Sequence, residues 1–352
     1  MPCFEKTLPG LKSIFLLLLL MAFLMSSSVL ASVPNPDEAT VKAFLRPDLI
    51  PQPNHNRVTP ERIELGKKLF FDPRLSGSNW ISCASCHNPA LAWQDGLKKP
   101  LGHNFKQLHR TTPTILNIVY LNRQFWDGRA VTMQEQALGP IENKDEMNQD
   151  LDELVKELKA IPGYVKLFNE AYPKDGVSKE AIAKAISSFE RTIVSTDSEF
   201  DRWLKGAETK MTESAKRGFK LFTGKARCSI CHSGFNFSDK GFHNIGLPGN
   251  TDEGRYAIKP VKVMKGAFKT PTLRDIALTA PYMHNGAFST LTEVIEHYNS
   301  GGTKNLGNLD PNMQPLNLTK KEKAELLGFL LSLTGDAKEF VVPVLPVKPV
   351  NH

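Results

Sequence analysis

At 352 residues the chain is too long for one minimal core and comfortable for two domains. Apolar residues make up 41% and charged residues 23%, as in soluble globular proteins rather than disordered or fibrous ones. The formal charge of +7 is spread along the chain without a Lys/Arg block, which argues against a nucleic-acid partner.

In chain order the first element is a targeting segment. Lys6 and Lys12 precede "SIFLLLLLMAFLM", and the small-residue run "SSSVLAS" follows. This order predicts a secretory signal over 1–31, cleaved after Ala31. The apolar run, about 13 residues, is short for a bilayer span. No later stretch reads as transmembrane, so no membrane anchor is expected after cleavage. Helical periodicity then marks "PERIELGKKLFF" (60–71), "MNQDLDELVKELKAI" (147–161), "SKEAIAKAISSFERTIV" (178–194), "TESAKRGFKLF" (212–222), "TLTEVIEHYN" (290–299) and "TKKEKAELLGFLLSL" (319–333). Pro and Gly punctuate the loops, alternating strand patterns are scarce, and the tail "FVVPVLPVKPVNH" reads as extended.

Of five cysteines, Cys3 lies in the signal segment. The other four form two pentads, Cys83-Ala84-Ser85-Cys86-His87 and Cys228-Ser229-Ile230-Cys231-His232. A redox dithiol needs no adjacent histidine. A zinc site would pool both pairs and leave both histidines as spare ligands. Covalent attachment of c-type haem uses every residue: two thiols add to two vinyl groups, and the histidine reaches the iron from the same side. Two c-type haems are therefore expected, with His87 and His232 as proximal ligands.

The chain also repeats itself. "LGKKLF" precedes the first pentad and "RGFKLF" the second; "TPTILN" follows the first and "TPTLRD" the second; "FWDGRA" answers "YMHNGA". Thr112 to Thr270 and Gly128 to Gly286 are both 158 residues. A held offset predicts one duplicated unit. The expected fold is mainly α: two cytochrome c-like haem domains related by duplication, over 32–205 and 206–340, with a Pro-rich tail at 341–352.

At these residues, with "EQALGPIENKDEM", "FHNIG", "FKTPTLRDIALTAPYMHNGAFSTL" and "HYNSGG", the chain resembles the bacterial di-haem cytochrome c peroxidases and their relative MauG. The resemblance runs from about Arg57 to Gly335. It implies two facing haem domains, usually with a calcium ion between them, in a periplasmic enzyme that reduces hydrogen peroxide with electrons from a small redox protein. That donor would be a c-type cytochrome or a cupredoxin. A MauG-like oxidase acting on a protein or organic substrate is the alternative, and a pure electron carrier a third. A homodimer is compatible with all three.

The resemblance also implies site residues. The reacting haem would be the N-terminal one, with Gln136, Pro140 and Glu146 on its open side. Glu146 would shuttle the peroxide proton and Gln136 would orient the peroxide. On residues alone, the acidic run "ENKDEMNQDLDEL" reads as a solvated face. Trp126 would relay electrons between the haems, although an aromatic filling the core fits the same residue. His103 would be a removable ligand of the first iron, with His109 as rival. The second iron's far ligand falls on Tyr298 where peroxidases carry methionine; MauG carries tyrosine there, and a phenolate favours the more oxidised states of iron. Met283 and His297 are rival ligands, and His284 is expected near the haems but off the iron. Calcium would be held around Thr111, Thr279 and Pro281, with Thr111 standing where the family has asparagine. MauG carries a surface tryptophan two residues before its second pentad; this chain carries Ala226.

Overall fold

The computed structural model describes residues 36–303 and 308–347. The signal segment lies outside them. The described part is mainly helical. Its regular helices are α1 (Glu38–Phe44), α2 (Pro60–Phe71), α3 (Cys83–Cys86), α4 (Met133–Glu142), α5 (Leu151–Lys159), α6 (Pro162–Ala171), α7 (Lys179–Glu190), α8 (Glu199–Leu204), α9 (Glu213–Thr223), α10 (Leu291–Ser300) and α11 (Lys320–Leu331). One two-residue antiparallel pair, β1 (Phe242–His243) with β2 (Phe268–Lys269), completes the regular structure. No helix among the described residues is long and apolar enough to cross a membrane.

All six periodic stretches are helices. Side chains set their ends: Thr59, Asp150, Ser178, Thr212, Thr290 and Thr319 each accept a hydrogen bond from a first-turn N–H. Besides α3, which is wound within the first pentad, four helices had no clear periodic signal. In α4, Pro140 interrupts the pattern, yet packing of Met133, Ala137 and Ile141 holds the helix. In α6, Pro162 occupies the first turn, where its missing N–H costs nothing. The helices α1 and α8 are too short for a period to show.

Two hydrophobic cores form. The first gathers α2, α4, α5, α6 and α7 around Leu65, Phe70, Tyr164, Phe168 and Phe189. The second gathers α1, α8, α9, α10 and α11 around Phe200, Phe219, Phe222, Phe237 and Phe329. Each core is built on one close helix pair. A Cβ on Gly66 of α2 would overlap the carbonyl of Ala185 in α7; a Cβ on Gly218 of α9 would overlap the carbonyl of Glu325 in α11. Packing does not respect the boundary drawn at 205/206. Phe44 and Phe200 precede it but belong to the second core, because both rings pack around Phe219 and Phe237. The tail crosses back: Phe340 stacks on Phe71 and meets Trp93 edge-on in the first core.

Backbone features recur at the 158-residue offset. Asn117 and Asp275 are both left-handed, as are Gly128 and Gly286. The 3-10 turns at Ile118–Tyr120 and Ile276–Leu278 match, as do the bridges Gln124–Ala130 and Tyr282–Phe288. Helices α4 and α10 start from Thr132 and Thr290 and have equal lengths.

Candidate functional site

Each pentad is wound so that its histidine presents one nitrogen. In the first, α3 brings the His87 N–H onto the Cys83 carbonyl at 2.8 Å. His87 Nδ1 bonds the Trp93 carbonyl at 3.1 Å. In the second, the His232 N–H reaches the Cys228 carbonyl at 2.8 Å, and Nδ1 bonds the Phe237 carbonyl at 2.8 Å. A carbonyl can only accept, so each Nδ1 carries the proton and each Nε2 keeps its lone pair. Burial pulls both imidazole pKa values down, which keeps them neutral.

The four thiols are free. Burial pushes Cys86 and Cys228 up to about 12 and Cys83 upward as well. A redox dithiol needs the opposite shift. Cys83 packs on the first core and Cys228 on the second, so the pairs do not pool into one zinc site. Beside the second pentad lies a mostly apolar cavity, lined by Cys228, Cys231, His232, Trp126, His284 and Tyr298 among others. Neutral Nε2 donors, unpaired thiols and this cradle fit covalent haem.

Helix α4 and the loop after it carry the next group of expected site residues. Glu146 accepts a hydrogen bond from Asn143 Nδ2 at 2.8 Å. Burial raises its pKa, against the opposing pull of Arg129 and Asn143. Its charge is felt at the Cys86 thiol, so it stands beside the first pentad. Gln136 Oε1 is buried with no hydrogen-bond partner among the described residues. The His103 N–H donates to the carbonyls of Asp145 and Glu146, at 3.1 and 2.8 Å. Its Nδ1 is buried without a partner, and its Nε2 lies 3.2 Å from Asn148 Nδ2. His109, by contrast, is exposed. Glu146 and His103 therefore share one loop junction.

Helix α10 borders the cavity of the second pentad. Tyr298 lines the cavity, and the thiols of Cys228 and Cys231, together with burial, push its pKa up. Its hydroxyl makes no hydrogen bond among the described residues. His297 turns away, its Nε2 bonding the Ile245 carbonyl at 2.9 Å. Position 298 is also the 158-residue counterpart of Pro140. At the same turn of matched helices, one lobe holds a side chain with no donor atom and the other a phenol.

The lobes meet at the counterparts Trp126 and His284, whose rings sit edge to face with centroids 6.5 Å apart. Trp126 Nε1 donates to the Thr111 carbonyl at 2.9 Å. His284 stacks on Phe268 at 3.5 Å, bonds Asn250 through Nε2, and is pulled by burial to about pKa 4. Arg110 ties the lobes electrostatically, gripping Asp127 and, through two nitrogens, Asp252. Around the expected calcium position, two threonine hydroxyls and one backbone carbonyl are hydrogen-bonded within the chain. The Thr111 hydroxyl donates to the Met283 carbonyl at 2.9 Å, the Thr279 hydroxyl to the Ile276 carbonyl, and Gln94 donates to the Ala280 carbonyl beside Pro281.

Comparison with known proteins decides the family. The family model described as "Di-haem cytochrome c peroxidase" matches residues 60–209. The methylamine utilization protein MauG of Methylorubrum extorquens is 43% identical over 91% of this chain and 92% of its own length. MauG of Methylophilus methylotrophus is 46% identical over 86% and 91%. Cytochrome c551 peroxidase of Nitrosomonas europaea is 37% identical over 84% and 86%. The crystal structure of a MauG-like protein associated with microbial copper homeostasis superposes with a TM-score of 0.76, at 31% identity over 88% and 95%. The chain belongs to the di-haem cytochrome c peroxidase/MauG family. Membership brings with it two c-type haems.

Within that family frame, three buried groups escaped the sequence reading. His243 bonds Asp310 at 2.6 Å and Asp239 at 2.8 Å, which raises it to about pKa 11 and keeps it cationic beside Cys231. Glu190 is buried beside Cys83 and is raised to about pKa 8. Lys269 lines the second cavity. The "FHNIG" string could have flagged His243; nothing local flags the other two. Ala226, where MauG carries its surface tryptophan, is buried.

Proposed function

We propose that the chain is a periplasmic, peroxide-activating oxidoreductase of the MauG type, exported by the segment 1–31. Its first haem site takes peroxide, and its second stores oxidising equivalents for a protein or organic substrate. The observation that carries this reading is the Pro140/Tyr298 pair. On matched helices, Pro140 has no donor atom, whereas the Tyr298 phenol oxygen would serve the iron of the second haem. Bound at His87 and His232 through the four cysteines, the haems supply the iron that accepts peroxide oxygen and the store for two oxidising equivalents.

The chain's own residues do the rest. Glu146, raised by burial, can carry a proton from the near to the far peroxide oxygen. Gln136, with its side-chain oxygen unengaged, can hold the peroxide by hydrogen bonding. The two electrons and two protons taken up leave the peroxide as two waters. Trp126 offers an indole between the lobes for electron relay, and His103, beside Glu146 in the same loop junction, is the candidate removable ligand of the first iron. A phenolate on the second iron disfavours reduction by an ordinary cytochrome, which sets this protein apart from the methionine-bearing peroxidases. With Ala226 buried, the electrons come by another surface than in MauG, and the substrate differs accordingly. The recurrence at 158 residues supports descent of both lobes from one duplicated cytochrome c-like unit.

The peroxidase reading, with a c-type cytochrome or cupredoxin as donor, uses the same Glu146 and Gln136 and is the competing reading. Steady-state turnover separates the two: slow donor oxidation with a long-lived oxidised state supports the MauG type, and fast turnover supports the peroxidase. EPR of the ferric protein tests the ligand. A high-spin signal is expected from the first haem and a low-spin tyrosinate signal from the second. Tyr298→Phe should abolish the latter; an unchanged spectrum would refute the assignment.

A further inference from the structure

Lys269 is the 158-residue counterpart of Thr111, and the two make the same backbone contact in opposite directions. The Thr111 N–H donates to the His284 carbonyl at 2.8 Å; the Lys269 N–H donates to the Trp126 carbonyl at 2.8 Å. Their side chains then diverge. The Thr111 hydroxyl is satisfied by the Met283 carbonyl. Lys269 is 8% exposed and lines the cavity of the second pentad, and its ammonium has no hydrogen-bond or ion-pair partner among the described residues.

An ammonium buried without an anion is costly and is rarely retained. Among the other buried cations of the described residues, Arg274 and Lys216 pair with Asp201 and Glu213, while Arg255 and Arg191 donate to backbone carbonyls. The cavity that Lys269 faces fits a haem, and a haem brings two carboxylates of its own. We infer that Lys269 is the counter-ion of a propionate of the second haem. It is thereby a positioning residue, locking that haem against the wall that carries Trp126.

Two further observations agree. Burial alone pulls Lys269 down to about pKa 8, with no carboxylate of the chain opposing it, so the missing anion is not supplied by the protein. On β2, Lys269 follows Phe268, which stacks on His284. The ammonium, the relay indole and the buried imidazole are therefore held by one short pair of strands. Threonine at the corresponding place in the first lobe leaves no such charge, so the two haems sit in different fields. A fixed cation beside a propionate favours the reduced iron and partly offsets a phenolate at the other ligand position.

The inference rests on haem attachment at Cys228, Cys231 and His232. It is tested on the holoprotein with Lys269→Met and Lys269→Arg, counting haems by pyridine haemochrome and titrating both haems spectroelectrochemically. Lys269→Met should keep two haems while the potential of the low-spin second haem falls and that of the first is unmoved. Lys269→Arg should restore the potential and shift the propionate bending band in resonance Raman. Two haems with wild-type potentials in Lys269→Met overturn the inference. If that variant does not accumulate, an unmoved propionate band in Lys269→Arg overturns it instead. A wild-type protein lacking a second thioether-bound haem is a different result, and it refutes the attachment on which the inference rests.

Discussion

Pro140 stands at the same turn of α4 as Tyr298 does of α10, and the helices around them share capping residue, length and neighbouring turns. The lobes are alike where the backbone must bend and unlike where an iron would be approached. Three more counterpart pairs follow the rule. Trp126 faces His284, an oxidisable ring against one that burial keeps neutral. Thr111 faces Lys269. Leu116 in the first lobe corresponds to Arg274 in the second, which lies fully buried on Asp201 and spans the carbonyls of Phe235 and Phe44. One scaffold can thus carry an open site and a closed one, because turns and helix contacts constrain the backbone while side chains at fixed positions choose the chemistry.

The sharpest way to break the comparison is at Glu146, the proposed proton carrier of the first lobe. Glu146→Gln should slow the reaction with peroxide by roughly 10²–10⁴-fold, as expected for loss of a general acid–base. Stopped-flow mixing of the ferric protein with peroxide measures it, and the second haem's spectrum before mixing should not change. A rate within a few-fold of wild type removes Glu146 from the mechanism.

Next in size is the shared scaffold. Gly66→Ala and Gly218→Ala each drive a methyl into a facing helix carbonyl, which the backbone can relieve only by separating the pair. Each should cost about 3 kcal/mol or more by chemical denaturation. Gly66→Ala should perturb the first haem's spectrum first, and Gly218→Ala the second's. Equal disturbance of both would mean that the cores are not separable.

The smallest effect distinguishes α7 from its partner α11. Glu190 of α7 is buried where α11 has Leu330. Its carboxyl is raised to about pKa 8 by burial, well above its unfolded value near 4.5. The protonated form is therefore the one the fold favours. Stability is full below about pH 4.5 and declines as pH rises towards 8, at up to roughly 1.4 kcal/mol per pH unit. Glu190→Gln should abolish that slope: melting temperatures should match wild type at pH 4 and exceed it increasingly to pH 8. Parallel curves would show that the carboxyl is already ionised.

Much of this was legible along the chain. The pentads declare their chemistry because both thiols and the histidine act within five residues, and local winding alone brings them together. The six long helices declare themselves because burial of one face imposes a 3.6-residue period. The Gly128/Gly286 spacing marks the recurrence because the turns at those places hold left-handed backbone. Glu146 was hidden among five other acidic residues, since only packing decides which carboxylate loses its water. His297 and Tyr298 are adjacent, and nothing local says which faces the cavity; the Ile245 carbonyl, 52 residues away, removes the histidine.

What the order of residues settled by itself is therefore the covalent and periodic part: where haem can attach, which stretches coil, and where short strings recur at a fixed offset. Tertiary structure alone decided which groups are desolvated and what they then lack: the free oxygen of Gln136, the raised carboxyls of Glu146 and Glu190, the bare ammonium of Lys269. Attachment chemistry and helix period act over a few bonds or one turn. Desolvation depends on every element packed around a group, and those elements arrive from distant parts of the chain.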